Sequence, residues 1–379
     1  MRIVYVTPFY YPVVGGVEEV ARRIAEYMAS KGHDVYVLTY NRLRVGGKRS
    51  LPRKDTINNV EVIRIEPNLI WSYGTYSSEI PRVLEELRPD LVHVHAWRHP
   101  HVFQVAKVRK RLKFKAVIHT HAPFHKLNQL GLTIWLYHKA VDQIRKGVLR
   151  EYDAVVALTP YEKNLLVGKL GVKSEKIKII PNGIDDEIFG VNINTAEIDI
   201  INENPVILYV GKISRSKNVD LLIKAMRILT RKKLAKLVLA GPDENLIAKL
   251  EGYARRHGVD FHYRGQVSEV EKHKLYSKCT VFAHPAIYEP FGITLLEAQA
   301  FGKPCVITGE GGQLYAAPPG MTSLHAMPNP EDFGEKMAAL LMNEELYKKL
   351  SRNARKWALR HLWSKILPAY YELYDEICG

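Results

Sequence analysis

Cysteine is scarce. The chain of 379 residues has three, Cys279, Cys305 and Cys378, too scattered for a disulfide framework or a thiolate metal cluster. No apolar run approaches the roughly 20 residues that cross a bilayer as a helix. The opening Met-Arg-Ile-Val-Tyr-Val-Thr-Pro enters a strand pattern at once and lacks the layout of a signal peptide. These absences point to a cytoplasmic protein. Glutamine is rare, with six residues, while Lys, Arg, Ile and Tyr abound, as in surfaces adapted to heat. Acids are short too: 40 Asp and Glu against 55 Lys and Arg leave a formal charge of +15. Residues 101–150 carry eleven Lys or Arg and one acid, Asp142. Such an excess favours nucleotide diphosphates, anionic lipid surfaces or nucleic acid. No nucleic-acid-binding module or interleaved aromatic-basic stripe accompanies it, so nucleic acid ranks last.

What is present reads as an α/β protein. Hydrophobic residues make up 46% and charged residues 25%, ordinary for a globular chain, and the length suits two domains. Apolar strands alternate with amphipathic helices: Ile3 to Thr7, Val35 to Thr39, Val60 to Ile65, Leu91 to His95, Ala116 to Thr120, Ala154 to Leu158 and Ile177 to Ile180. Asp186 to Asn204 lacks periodicity and reads as an interdomain linker. The alternation resumes with Val206 to Gly211, Leu237 to Gly241, Phe261 to Tyr263, Thr280 to Ala283 and Cys305 to Thr308, and the last fifty residues read mainly as helix.

Ligands bind such sheets beyond the carboxyl ends of their strands. Glu289-Pro290-Phe291-Gly292 reads as a loop there and Ile293 to Phe301 as the helix that follows. Glu289 and Glu297 thus flank a helix N-terminus whose free N–H groups form an anion site, apt for a ligand with both hydroxyls and phosphate: a nucleotide-sugar. A plain corner with two surface glutamates fits the spacing equally. Gly15-Gly16, between the first strand and helix, permits close backbone approach but also describes a simple turn. The loop with Lys212, Arg215 and Lys217 is placed to neutralise a diphosphate, or is a solvated charge run. His93, His95, His119 and His121 alternate at two strand ends, with His99, His101 and His125 nearby. A zinc site is conceivable from these spacings. Without an acidic or Cys partner, a polar cleft floor fits better.

The ordered motifs then carry a resemblance over nearly the whole chain: Gly-Gly-Val-Glu at 15–18, His-Thr-His at 119–121, Ile-Pro-Asn-Gly-Ile-Asp at 180–185, Val-Gly-Lys-Ile-Ser-Arg-Ser-Lys at 210–217, Leu-Ala-Gly at 239–241, the Glu289-to-Glu297 segment and Gly311-Gly312. The sequence resembles the family 4 (group 1) retaining glycosyltransferases of the GT-B fold. The resemblance implies two Rossmann-like, doubly wound domains facing a deep cleft. Residues 1–190 would form the acceptor side and 200–358 the donor side, with a C-terminal helix of about 360–379 crossing back to the first domain. A UDP- or GDP-sugar would donate. Glu297 would hold the ribose, Glu289 the transferred sugar, and the backbone N–H groups of Phe291, Gly292, Ile293, Thr294 and Leu295 sugar and phosphate. Lys212 and Lys217 would stabilise the departing diphosphate, with Gly211 and Arg215 in the same loop. Gly15 and Gly16 would approach it from the first domain, and His121 would sit beside the sugar.

With both glutamates committed to hydroxyls, the expected mechanism is same-face substitution in which the departing phosphate takes the acceptor's proton. Cations and helix N–H groups neutralise that charge, so no metal or other cofactor is expected and activity should survive EDTA. Three departures stand out. Lys212 replaces a common Arg and lacks its bidentate fork, Asn218 replaces a common Gly, and Gln313 to Asn329, with Pro318-Pro319-Gly320, replaces an acidic residue and an Asp-Gly loop. The acceptor is expected to be a sugar, a polyol or a lipid-linked molecule. Residues 126–150 mix apolar and basic positions, as in a peripheral helix on anionic membrane or an amphipathic helix with a solvated basic face. A sugar phosphorylase or nucleotide-sugar epimerase on the same architecture is the enzymatic rival.

Overall fold

The computed structural model describes the chain except residues 14, 44–50, 72–73, 123, 191–204 and 232–234. It divides into two compact units: Met1–Phe124 with Gly131–Asn182 and Ser364–Gly379, and Gly183–Trp363 with His125–Leu130. The boundary falls at Asn182-Gly183, ahead of the expected linker. The turn Asp186–Phe189 belongs to the second unit, and 191–204 lies outside the described residues.

The first unit holds an eight-stranded sheet in the order Ile177–Ile179, Ala154–Ala157, Lys115–His119, Leu91–His95, Arg2–Val6, Asp34–Tyr40, Val60–Ile65 and Lys54–Ile57. Leu91–His95 is buried at every position, as a central parallel strand covered on both faces requires. Parallel pairing runs through the sheet as far as Val60–Ile65, where Lys54–Ile57 adds an antiparallel edge. That edge strand is short and half exposed, so no apolar run announces it.

The terminal helix Trp363–Cys378 joins this unit from Ser364, a few residues later than expected. Its Tyr370 and Tyr374 are buried, and the Tyr374 hydroxyl meets the Tyr5 hydroxyl at 3.2 Å and His93 Nδ1. Tyr370 and Tyr374 are therefore core, with the Tyr374 hydroxyl reaching the sheet.

The second unit holds six parallel strands in the order Phe261–Tyr263, Lys236–Ala240, Val206–Val210, Val281–His284, Cys305–Thr308 and Ser323–Ala326. The order steps outward in both directions from Val206–Val210, placing a switch point beside Val281–His284. The polar strand Ser323–Ala326 escaped the sequence reading. Both sheets are doubly wound, the expected α/β class.

Candidate active site

The second unit builds its site at the end of Val281–His284. The chain turns through Pro285 to Ile287 and pairs Tyr288–Glu289 with Glu310–Gly311. It passes Gly292 in the left-handed region (φ 94°) and enters the helix Ile293–Ala300. Glu289, read as loop, is thus fixed in a two-residue strand. Gly312 donates its N–H to the Glu289 carbonyl at 2.8 Å, and a Cβ there would lie 2.0 Å from the Pro290 carbonyl oxygen. Only glycine lets the two segments approach this closely.

The Glu289 carboxylate, its side chain 14% exposed, forms an ion pair with Lys217 and lies 3.4 Å from His284 Nε2. Burial pushes this carboxyl up, but Lys217 and His284 outweigh burial and hold it below the usual carboxylate range. Lys217 reaches it from the turn Arg215–Lys217, closed by Asn218 in the left-handed conformation (φ 55°). Asn tolerates that conformation, and its side chain donates to the Pro285 carbonyl at 3.1 Å, so it can stand where a glycine is usual.

The other expected donor ligands have partners of their own. Lys212 Nζ pairs with Glu244 at 2.9 Å on a half-exposed surface. Gly211 takes φ 151° against the Tyr209 ring. Glu297 accepts from Lys272 at 2.9 Å and from the Tyr276 hydroxyl at 2.7 Å. The Leu295 N–H is spent on the Gly292 carbonyl at 3.0 Å, which removes it from the expected set of free donors.

Three contributions were not read from sequence. His125–Leu130 belongs to the second unit: Gln129 donates to the Tyr288 carbonyl at 3.0 Å and the Ser216 carbonyl at 3.3 Å, and Lys126 pairs with Glu310 at 2.7 Å. Gln313, buried where an acid was expected, donates to the carbonyls of Ala286, Thr308 and Glu310 and ties the turn after Val281–His284 to the Gly311 segment. His284 was legible only as a polar residue closing an apolar strand.

In the first unit, Gly15 is extended (φ 175°) and Gly16 opens the helix Gly16–Ser30. Neither needs glycine's positive φ, though a Cβ on Gly16 would meet nothing within 4 Å. His121, at φ 58°, stacks on His119 with ring centroids 3.9 Å apart, and its Nε2 lies 2.9 Å from His95 Nδ1. Burial pushes its imidazole down to about 3, which leaves it neutral at pH 7.

Glu162 holds this loop. Its carboxylate, 1% exposed, accepts from the Thr120 hydroxyl, from Ala122 N at 2.6 Å and from Leu158 N at 2.7 Å. His121 and Ala122 are successive left-handed non-glycine residues (φ 58° and 46°), a conformation that persists only where its surroundings over-determine it. Burial pushes the Glu162 carboxyl up to about 7, although its three donors favour the ionised form. A carboxyl raised by folding contributes stability that is complete below the unfolded value near 4.5 and lost as pH rises through 7. Relative to Glu162→Gln, the wild type should therefore lose up to about 3 kcal/mol between pH 5 and 8 in urea unfolding. A pH-independent gap would show that the carboxylate is accommodated without strain.

Known proteins match this arrangement. The family profile described as Glycosyltransferase Family 4 fits residues 14–188, and that described as Glycosyl transferases group 1 fits residues 192–357. An uncharacterized glycosyltransferase of Methanocaldococcus jannaschii is 27% identical over 99% of this chain and 98% of its own length. Two solved structures share the fold: a sucrose-phosphate synthase from Thermosynechococcus elongatus (TM-score 0.77, 19% identity, 99% of this chain and 98% of that one) and Anabaena HepE in complex with UDP and glucose (TM-score 0.73, 18% identity, 99% and 100%). The paired parallel-sheet units, the matched profiles and the full-length relative lead to one assignment: the chain belongs to the family 4, group 1 glycosyltransferases and has their GT-B fold.

Proposed function

We propose that the protein transfers a sugar, with retention, from a UDP- or GDP-sugar to a sugar, polyol or lipid-linked acceptor, without a metal in the chemistry. The observation that carries this reading is the Lys217–Glu289 pair beside His284 at the N-terminal end of Ile293–Ala300. Lys217 and the first N–H groups of that helix receive the diphosphate, while Glu289 accepts from hydroxyls of the sugar. Glu297, already held by Lys272 and Tyr276, has lone pairs left for the ribose hydroxyls. The backbone of Phe291, Gly292, Ile293 and Thr294 is assigned to the phosphates with Arg215 beside them, and the family resemblance adds Gly15 and Gly16 as donor ligands. Neutral His121 offers a hydrogen bond to the sugar.

In the reaction, the bond from C1 to the phosphate oxygen breaks and the acceptor oxygen bonds C1 on the same face. The acceptor's proton passes to the departing phosphate oxygen. Charge builds on that phosphate, and each well-aimed cation or N–H donor lowers the barrier by roughly 3 kcal/mol. Anabaena HepE, a structural relative, binds UDP and glucose, which supports a donor of this class. On the acceptor side, Leu132, Leu136 and Ile144 are 60%, 51% and 76% exposed on the basic helix Leu132–Arg145, which supports peripheral contact with anionic lipid.

Three measurements bear on the reading. Glu297→Ala should raise the donor KM with little change in kcat, whereas Glu289→Ala should lower kcat at least tenfold. Equal effects on both constants would remove the division of roles, and an inverted product anomer by NMR would remove retention. Co-sedimentation with liposomes should rise with their anionic lipid content; binding indifferent to that content would detach the basic helix from any membrane role.

A further inference from the structure

The first unit contains a second cluster of ligand-type side chains. His93, His95 and His119 lie at the carboxyl ends of two adjacent parallel strands, with His95 and His119 in register. All three are 0% exposed, and one ring nitrogen of each lies within 4.8 Å of those of the other two. Every Nδ1 has a partner: the Tyr374 hydroxyl for His93, His121 Nε2 at 2.9 Å for His95, and the Tyr370 hydroxyl at 3.5 Å for His119. Every Nε2 is buried and has none.

A buried polar atom without a partner is costly, and three such nitrogens on three adjacent rings call for a shared explanation. We propose that His93, His95 and His119 form a binding site for a divalent transition metal ion, zinc foremost. Imidazole donors without carboxylate or thiolate suit zinc, copper or nickel, and exclude magnesium and calcium, which require oxygen ligands. The outer contacts fit as well. A metal-bound histidine donates its other N–H to a neighbour that fixes the ring, and Tyr374 and Tyr370 stand there for His93 and His119. Tyr374 in turn reaches the Tyr5 hydroxyl at 3.2 Å, which extends the chain.

Zinc–nitrogen bonds of about 2.1 Å set ligand nitrogens about 3.4 Å apart, so the rings close by roughly an ångström on binding. His93 and His95 now stack with centroids 4.5 Å apart, and ring rotation converts that stack into a convergent pair. The fourth position is left for water or hydroxide, as in three-histidine sites. The ion would tie two strand ends to the terminal helix through Tyr370 and Tyr374. Through His95 it would fix the ring of His121. All three ligands are fully buried, and binding of the ion is read without the proposed transfer reaction.

The test uses the full chain, stripped with chelator and titrated with zinc by calorimetry and with cobalt by visible absorption. One ion per chain, a higher Tm with zinc and tetrahedral cobalt bands are expected. His119→Gln should abolish all three, and exposed His262→Gln should change none. Tyr374→Phe keeps every ligand and should weaken zinc affinity roughly 10–100-fold, which decides the matter if His119→Gln does not fold. Failure of the wild type to bind one equivalent, or identical titrations of wild type and Tyr374→Phe, would overturn the proposal and leave internal water as the partner of the three Nε2 atoms.

Discussion

A carboxylate drawn out of water needs an opposite charge within reach, and Glu289 meets that need with Lys217, with the His284 ring 3.4 Å away. Removing one partner of this partly buried pair strands the other charge where water reaches it poorly. Much of the surrounding loop serves this pair. Gly312 and the Tyr288–Glu289 strand hold the carboxylate's backbone, and Asn218 fixes the turn that presents Lys217. Gln313 and Gln129 brace the flanking carbonyls. A donor with a diphosphate at one end and hydroxyls at the other would exchange partners with groups already desolvated and aimed. That is how preorganised charge lowers a barrier without reorganising at the moment of reaction.

The first unit also buries ion pairs such as Arg98–Asp142, but its histidine layer follows a different rule. His93, His95, His119 and His121 form a stacked layer from which burial removes charge, and tyrosine hydroxyls take up two of its nitrogens. Glu162 beneath it has a carboxyl raised toward neutrality while it fixes the backbone around His121. The described site of the second unit is built on an ion pair, and the histidine layer of the first on uncharged hydrogen-bonding groups.

The parallel strands were legible because burial on both faces demands continuous apolar runs such as Leu91-Val92-His93-Val94 and Val281-Phe282-Ala283. Lys54–Ile57 and Ser323–Ala326 were not, since a half-exposed edge needs no such run. Glu289 and Lys217 were singled out from motifs in separate stretches, and the fold brings them together. Glu162 looked like an ordinary residue in the first turn of Pro160–Leu170, where Thr159 caps the helix, and nothing local reveals that its carboxylate turns inward to three donors. Gln129 and Lys126 could not be placed either, because docking a first-half segment on the second unit is a long-range event without local signature.

The central claim is that Lys217 and Glu289 form the seat of a nucleotide diphosphate and its sugar. Calorimetric titration of UDP and GDP into wild type and Lys217→Met, at matched ionic strength, tests it most directly. The account predicts that one of the two nucleotides binds the wild type and loses at least tenfold in affinity in the variant, with the chain still folded. Unchanged affinity in folded Lys217→Met would contradict it.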